Sequence, residues 1–127
     1  MPCTMNPRQV VLPADLTAPR TAREFLATAC CGRHESKVVE DAQLLVSELV
    51  TNAVRYGAPP IELQVRCAGD DQLQIRVRDS VRAAPRPRDP GPDAEGGRGL
   101  LLVDLVSAEW GHEEDADGKA VWFTLRV

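Results

Sequence analysis

The chain predicts an α+β fold, a two-layer sandwich in which a mixed, mainly antiparallel sheet carries helices on one face. Three observations carry that expectation. Two pairs of segments alternate apolar and polar residues around short turns, as hairpins do. Between them lie segments whose apolar residues recur at three- or four-residue steps, as helices require. The composition, 43% apolar and 27% charged over 127 residues, suits one ordinary globular domain spanning residues 1–127. Aromatic residues are only 4%, so the core must come from Val, Leu, Ile and Ala. The net charge of −4 argues against a general nucleic-acid binder. No apolar run approaches the roughly 20 residues of a membrane span, and Met1–Asn6 shows no signal-peptide pattern. A cytoplasmic protein with residues 1–7 disordered is expected.

Gln9-Val10-Val11-Leu12 reads as a short edge strand ended by Pro13. Thr17 would cap a helix with Pro19 in its first turn; between Arg20 and Cys31 the apolar residues Ala22, Phe25, Leu26 and Ala29 fall at helical offsets, and Gly32 would stop it. Ser36 to Tyr56 is the longest periodic segment. Val38, Ala42, Leu45, Leu49, Ala53 and Tyr56 keep one face, and Gly57-Ala58-Pro59-Pro60 ends it. Ile61, Leu63, Val65 and Cys67 then alternate with polar residues, as do Leu73, Ile75 and Val77 after Gly69-Asp70-Asp71. This predicts a hairpin with one buried face. Residues 80–97 hold four prolines and three glycines, the composition of a functional loop. Helical character resumes from about Arg98 to Ser107. A last hairpin runs from Ala108 to Glu113 and from Lys119 to Val127, around Asp115-Ala116-Asp117-Gly118.

Cys3, Cys30, Cys31 and Cys67 form no C-x-x-C pair, so they read as reduced thiols. His112 beside Glu113, Glu114, Asp115 and Asp117 reads as a polar hairpin tip rather than a metal cluster. Arg76, Arg78, Arg82, Arg86 and Arg88 are diluted by acids and lack interleaved aromatics, so a solvated strand face and loop is the better reading than a nucleic-acid surface.

Three places break the local pattern. Glu48 and Asn52 stand four residues apart on one helix face beside the apolar stripe. They read either as an ordinary helix boundary or as a carboxylate acting on a nucleophile beside an amide oxygen on a hard cation. Asp79 keeps the register of Leu73, Ile75 and Val77, which aims a carboxylate inward. It either starts a turn or waits at a pocket floor for a ligand N–H. Gly96-Gly97-Arg98-Gly99 opens a helix, and is either a plain junction or a site where backbone N–H groups meet phosphate.

The order of these three features resembles the Bergerat-type, histidine-kinase-like ATP-binding fold, and within it the anti-sigma-factor serine-protein kinase family. Glu48-Leu49-Val50-Thr51-Asn52-Ala53-Val54-Arg55-Tyr56-Gly57 is similar to the N box, Val77-Arg78-Asp79-Ser80 to the start of the G1 box, and Gly97-Arg98-Gly99-Leu100-Leu101-Leu102-Val103 to the G2 box. The likeness covers about Arg8 to Val127. It implies ATP and Mg²⁺ as cofactors, with Asn52 on the metal and Glu48 orienting or deprotonating the attacking hydroxyl. Asp79 would accept from the adenine amino group. Gly97, Arg98, Gly99 and Leu100 would face the phosphates, and residues 80–97 would be the ATP lid. The implied partners are a sigma factor and an anti-sigma-factor antagonist, in a partner-switching system, with a homodimer in some family members. So small a chain would leave sensing and DNA contact to those partners. In one respect the pattern departs: Val81 and Ala83 stand where the G1 box has glycines. That departure supports the alternative of a sequestration module that uses little or no nucleotide. A detached histidine-kinase catalytic domain is the third option.

Overall fold

The helix from Ser36 to Tyr56, α2, is the scaffold on which the rest is assembled. It runs about six turns without glycine or proline, and Ala42, Leu45, Val46, Leu49, Val50 and Ala53 bury one side of it completely or nearly so. Its bounds coincide with the predicted segment. The computed structural model describes residues 7–29, 36–67, 72–80, 103 and 106–126.

Within that range the chain forms β1 (Arg8–Leu12), α1 (Ala18–Ala29), α2, β2 (Ile61–Cys67), β3 (Gln72–Asp79), β4 (Glu109–Asp115) and β5 (Gly118–Arg126). The strands make one sheet in the order β1-β2-β3-β5-β4. The sheet expected to be mixed is antiparallel at every pairing among the described residues. The α+β class holds, because both described helices pack against the same face.

Side-chain alternation fixes that face. On β3, Leu73, Ile75, Val77 and Asp79 are buried while Gln72, Gln74, Arg76 and Arg78 are half-exposed. Across the ladder, Leu73 faces Leu125, Ile75 faces Phe123, and Val77 faces Val121. Together with Leu63 and Val65 of β2 these form the lower half of the core, and Leu26, Leu45 and Val50 form the upper half. A one-residue slip would turn every one of these side chains to solvent, so burial specifies the register. The outer face carries polar side chains that pair with one another: Arg66 Nε donates to Gln74 at 2.5 Å, Gln64 to Gln9 at 2.9 Å, and Arg76 meets Glu113 at 3.1 Å. Val11, Ala120 and Trp122 share that face by register.

Helix α1 begins at Ala18, as a cap at Thr17 predicts, and its described part ends at Ala29. Thr17 occupies the cap position, since Thr21 N–H donates to its carbonyl at 3.0 Å. Its hydroxyl, however, donates to Asp15 at 2.5 Å, and its N–H donates to the same oxygen at 2.8 Å. Asp15 therefore anchors the helix start. Strand β3 runs to Asp79, which removes the reading of Asp79 as a turn residue. The last hairpin is tighter than expected, since β4 extends to Asp115 and leaves only Ala116 and Asp117 between the strands. Of the third predicted helix, Val103 and Val106 are helical, Val103 is fully buried, and Ser107 N–H donates to Val103 O at 2.9 Å. Cys3, Cys30 and Cys31 lie outside the described residues, and Cys67 is half-buried and in no disulfide.

Hydrogen bonds from the Thr17 hydroxyl and N–H hold the Asp15 carboxyl below its ordinary value of 3.8. A depressed carboxyl contributes stability above its unfolded pKa and loses it as pH falls through the folded one. Asp15→Ala should therefore lower the melting temperature at neutral pH, and the gap to wild type should close as the pH falls through the depressed folded-state pKa of Asp15. In the core, Leu45→Ala should cost about 2–5 kcal/mol in urea unfolding, as full burial of the leucine dictates.

Candidate functional site

Among the described residues Asp79 is the one charged side chain that is buried, at 6% exposure. A carboxylate is placed there by the strand period and held there by two tight contacts. The first is with the end of α2. Gly57 N–H donates to Ala53 O at 2.9 Å, extending the helix by one residue. A Cβ on Gly57 would lie 2.6 Å from Ala53 O and 2.7 Å from both Cγ and Oδ2 of Asp79. The residue is a glycine because the helix end and the carboxylate touch. The second contact is with β5. A Cβ on Gly118, whose φ is +154°, would lie 2.1 Å from the carbonyl oxygen of Asp79.

Ser80 ties the same corner together from the other side. Its N–H donates to Ala58 O at 2.9 Å, and its hydroxyl lies 3.1 Å from Ala58 O and close to Pro59 O, donating to one of them at a time. The link after α2 is thus fastened to the end of β3, next to Asp79.

Asp79 forms part of the wall of a cavity of about 250 Å³ between the C-terminal half of α2 and the sheet. Leu49, Ala53, Val77 and Val121 give it apolar sides, and Tyr56 and Asn52 come from α2. His112, Glu114 and Lys119 come from the β4–β5 hairpin, on the same face as Asp79 by register. An apolar cleft with a few convergent polar groups is the form of a small-molecule site.

The structure therefore brings together two of the predicted site residues, Asn52 and Asp79. Glu48 lies one turn before Asn52 on α2, half-buried, and is not among the described residues that line the cavity. Gly97, Arg98, Gly99 and Leu100, like Val81, Ala83 and the rest of the expected lid beyond Ser80, lie outside the described residues. Further residues join the site without having been assigned a role there: Gly57, read in the sequence as a helix stop and the last residue of the N box, and the hairpin residues His112, Glu113, Glu114 and Lys119. Gly57 carried a usable signal in its place at the end of the N box. The hairpin residues carried none, because a polar tip looks the same whether or not it borders a cleft. No group of three or more His, Cys, Asp or Glu capable of holding a metal occurs among the described residues.

The sequence profile of the histidine kinase-like ATPase domain matches residues 12–125. The chain belongs to this family. No curated protein matches the chain. Among solved structures, that of the RsbU and RsbW domains of Rv1364c from Mycobacterium tuberculosis superposes with a TM-score of 0.72 at 24% identity, covering 95% of this chain and 32% of that one. The blue-light activated histidine kinase EL346 of Erythrobacter litoralis matches with a TM-score of 0.60 at 22% identity, over 91% of this chain and 42% of that one. A histidine kinase domain of the same protein gives 0.54 at 22% identity, over 70% and 44%. These likenesses establish the fold, and the present chain spans less than half the length of each. No described helix is long and apolar enough to cross a membrane.

Gly57→Ala should push the helix end off Asp79. The expected cost is about 1–3 kcal/mol in chemical unfolding, with the cavity distorted as well. Ser80→Ala, which spares the backbone bond to Ala58, should cost only about 1 kcal/mol. If Gly57→Ala proved as mild as Ser80→Ala, the close packing at Asp79 would be disproved.

Proposed function

We propose that this chain binds ATP in the cleft between α2 and the sheet, and acts as an anti-sigma factor with serine-protein kinase activity. The observation that carries the reading is Asp79, a buried carboxylate in the wall of an apolar cleft, within a fold whose family is named for its ATPases. A buried acceptor at such a place suits the adenine amino group, which donates where Asp79 accepts. The apolar sides given by Leu49, Ala53, Val77 and Val121 suit the faces of the ring.

Asn52 offers an amide oxygen in the same cleft. Magnesium typically takes one or two protein ligands and completes its shell with phosphate oxygens and water, so one amide is a fitting contribution. The ion, when bound, supplies charge neutralisation at the phosphates. Glu48, a turn earlier on α2, would stand toward the phosphates and take the proton of an incoming serine hydroxyl. That oxygen would form the new bond to the γ-phosphorus as the bond to the bridging oxygen of ADP breaks. The products are phosphoserine and ADP, with the proton on Glu48.

The superposable Mycobacterium tuberculosis protein contains an RsbW domain; on the order of the three sequence boxes, the proposed phosphate acceptor is a protein antagonist and the proposed sequestered partner a sigma factor, in the cytoplasm. A second reading rests on Val81 and Ala83, which stand where the G1 box has glycine. A side chain there keeps the backbone from close approach to a nucleotide, which favours a module that sequesters its partner without turnover.

Calorimetry with Mg-ATP separates the two readings. Binding at micromolar to low millimolar ligand is expected, and Asp79→Asn should weaken it about 10- to 100-fold. Absence of heat at millimolar Mg-ATP would favour the sequestration module. Glu48→Ala should lower phosphate transfer at least about 100-fold while leaving ATP affinity within about twofold. Transfer that survived this change would remove Glu48 from its role.

A further inference from the structure

The base end of the cleft contains a second charged group that the functional reading does not use. Lys119 is paired directly opposite Asp79 in the β3–β5 ladder, so the two side chains share the inner face. Both line the cavity. Glu114 faces Lys119 from the other side, on β4. Among the described residues the Lys119 ammonium has no hydrogen-bond or ion-pair partner, although it is half-buried and flanked by carboxylates. A half-buried ammonium, unpaired and turned to a cleft, is a donor in search of an acceptor.

We infer that Lys119 reads the base by donating a hydrogen bond to N1 of adenine while Asp79 accepts from the amino group beside it. This rests on the ATP-binding reading of the cleft and extends it to base selection. The two atoms are neighbours on one edge of adenine, an acceptor next to a donor. The two side chains are neighbours on one face of the sheet, a donor next to an acceptor. Guanine reverses both positions, with an oxygen acceptor in place of the amino group and an N–H in place of bare N1. It would set its oxygen against Asp79 and its N–H against the ammonium, leaving both groups mismatched. A site built from such a pair rejects the wrong base strongly, because the groups left unpaired lose their hydration without compensation. The Lys119 stem contributes apolar cover to the cleft as well, so lysine can be replaced by methionine with the packing retained.

The probe is 1-deaza-ATP, in which N1 is a C–H and the amino group remains. Wild-type protein should bind ATP about 10- to 100-fold more tightly than 1-deaza-ATP. Lys119→Met should lose that same factor for ATP and bind the two nucleotides alike, with 1-deaza-ATP little affected. Equal binding of both nucleotides by wild type overturns the inference. So does an equal loss for both in Lys119→Met, because the ammonium would then serve the phosphates. The wild-type comparison stands even if the variant folds poorly. No binding of ATP by wild type at millimolar concentration would overturn the functional reading itself and this inference with it, a result distinct from ATP binding that ignores N1.

Discussion

The close approach of three backbone segments around the Asp79 carboxylate is the constraint on which the remaining structure depends. The end of α2 comes within contact of the side chain at Gly57, and the start of β5 comes within contact of its carbonyl at Gly118. Ser80 holds the link that joins α2 to β2 against the strand end. Two glycines and one serine thus converge on one acid. A buried carboxylate would be unfavourable in an unconstrained position, since it surrenders hydration. It is tolerated here because burial of the neighbouring Leu73, Ile75 and Val77 fixes β3 and carries Asp79 along in the same register. The acid thereby stands in the wall of the cleft, and such sites are where natural proteins tend to break local rules.

From that corner the layout of the cleft follows. The last two turns of α2 supply one wall, with Asn52 one turn before Tyr56, and the inner rows of β3 and β5 supply the floor. The β4–β5 hairpin brings charged residues to the same end. The helix and the sheet are rigid elements with their own packed cores, and a site set between such elements is held more closely than one set on loops alone. The α1–α2 pair adds to that rigidity. Gln43 Nε2 donates to Arg23 O at 3.0 Å, and Arg23 donates to the Ser47 hydroxyl at 3.0 Å, cross-linking the two helices on the side away from the sheet core.

The alternation along β2, β3 and β5 and the helical period of α2 were legible because each depends on neighbours within a few residues. The sheet's strand order and the all-antiparallel pairing were not, because hairpin contacts are local but the β3–β5 contact joins residues 40 to 54 positions apart in the chain. The Asp15 anchor was missed for a related reason. Thr17 and Asp15 both suit a helix start, and only the folded chain decides that the Asp15 carboxylate accepts from both the N–H and the hydroxyl of Thr17.

At the site the division is the same. Sequence alone determined that Asn52 lies beside the apolar stripe of a long helix and that Asp79 keeps an inward register, and the order of the boxes made both candidates for the site. The family match over residues 12–125 agrees with the family those boxes resemble. Tertiary structure alone decided that these two residues share a cleft, that Gly57 is a contact and not merely a helix stop, and that Lys119 stands opposite Asp79. The reason is physical. Periodicity reports which way a side chain points, but the distance between side chains on different elements is set by how those elements pack, and packing is a property of the whole core.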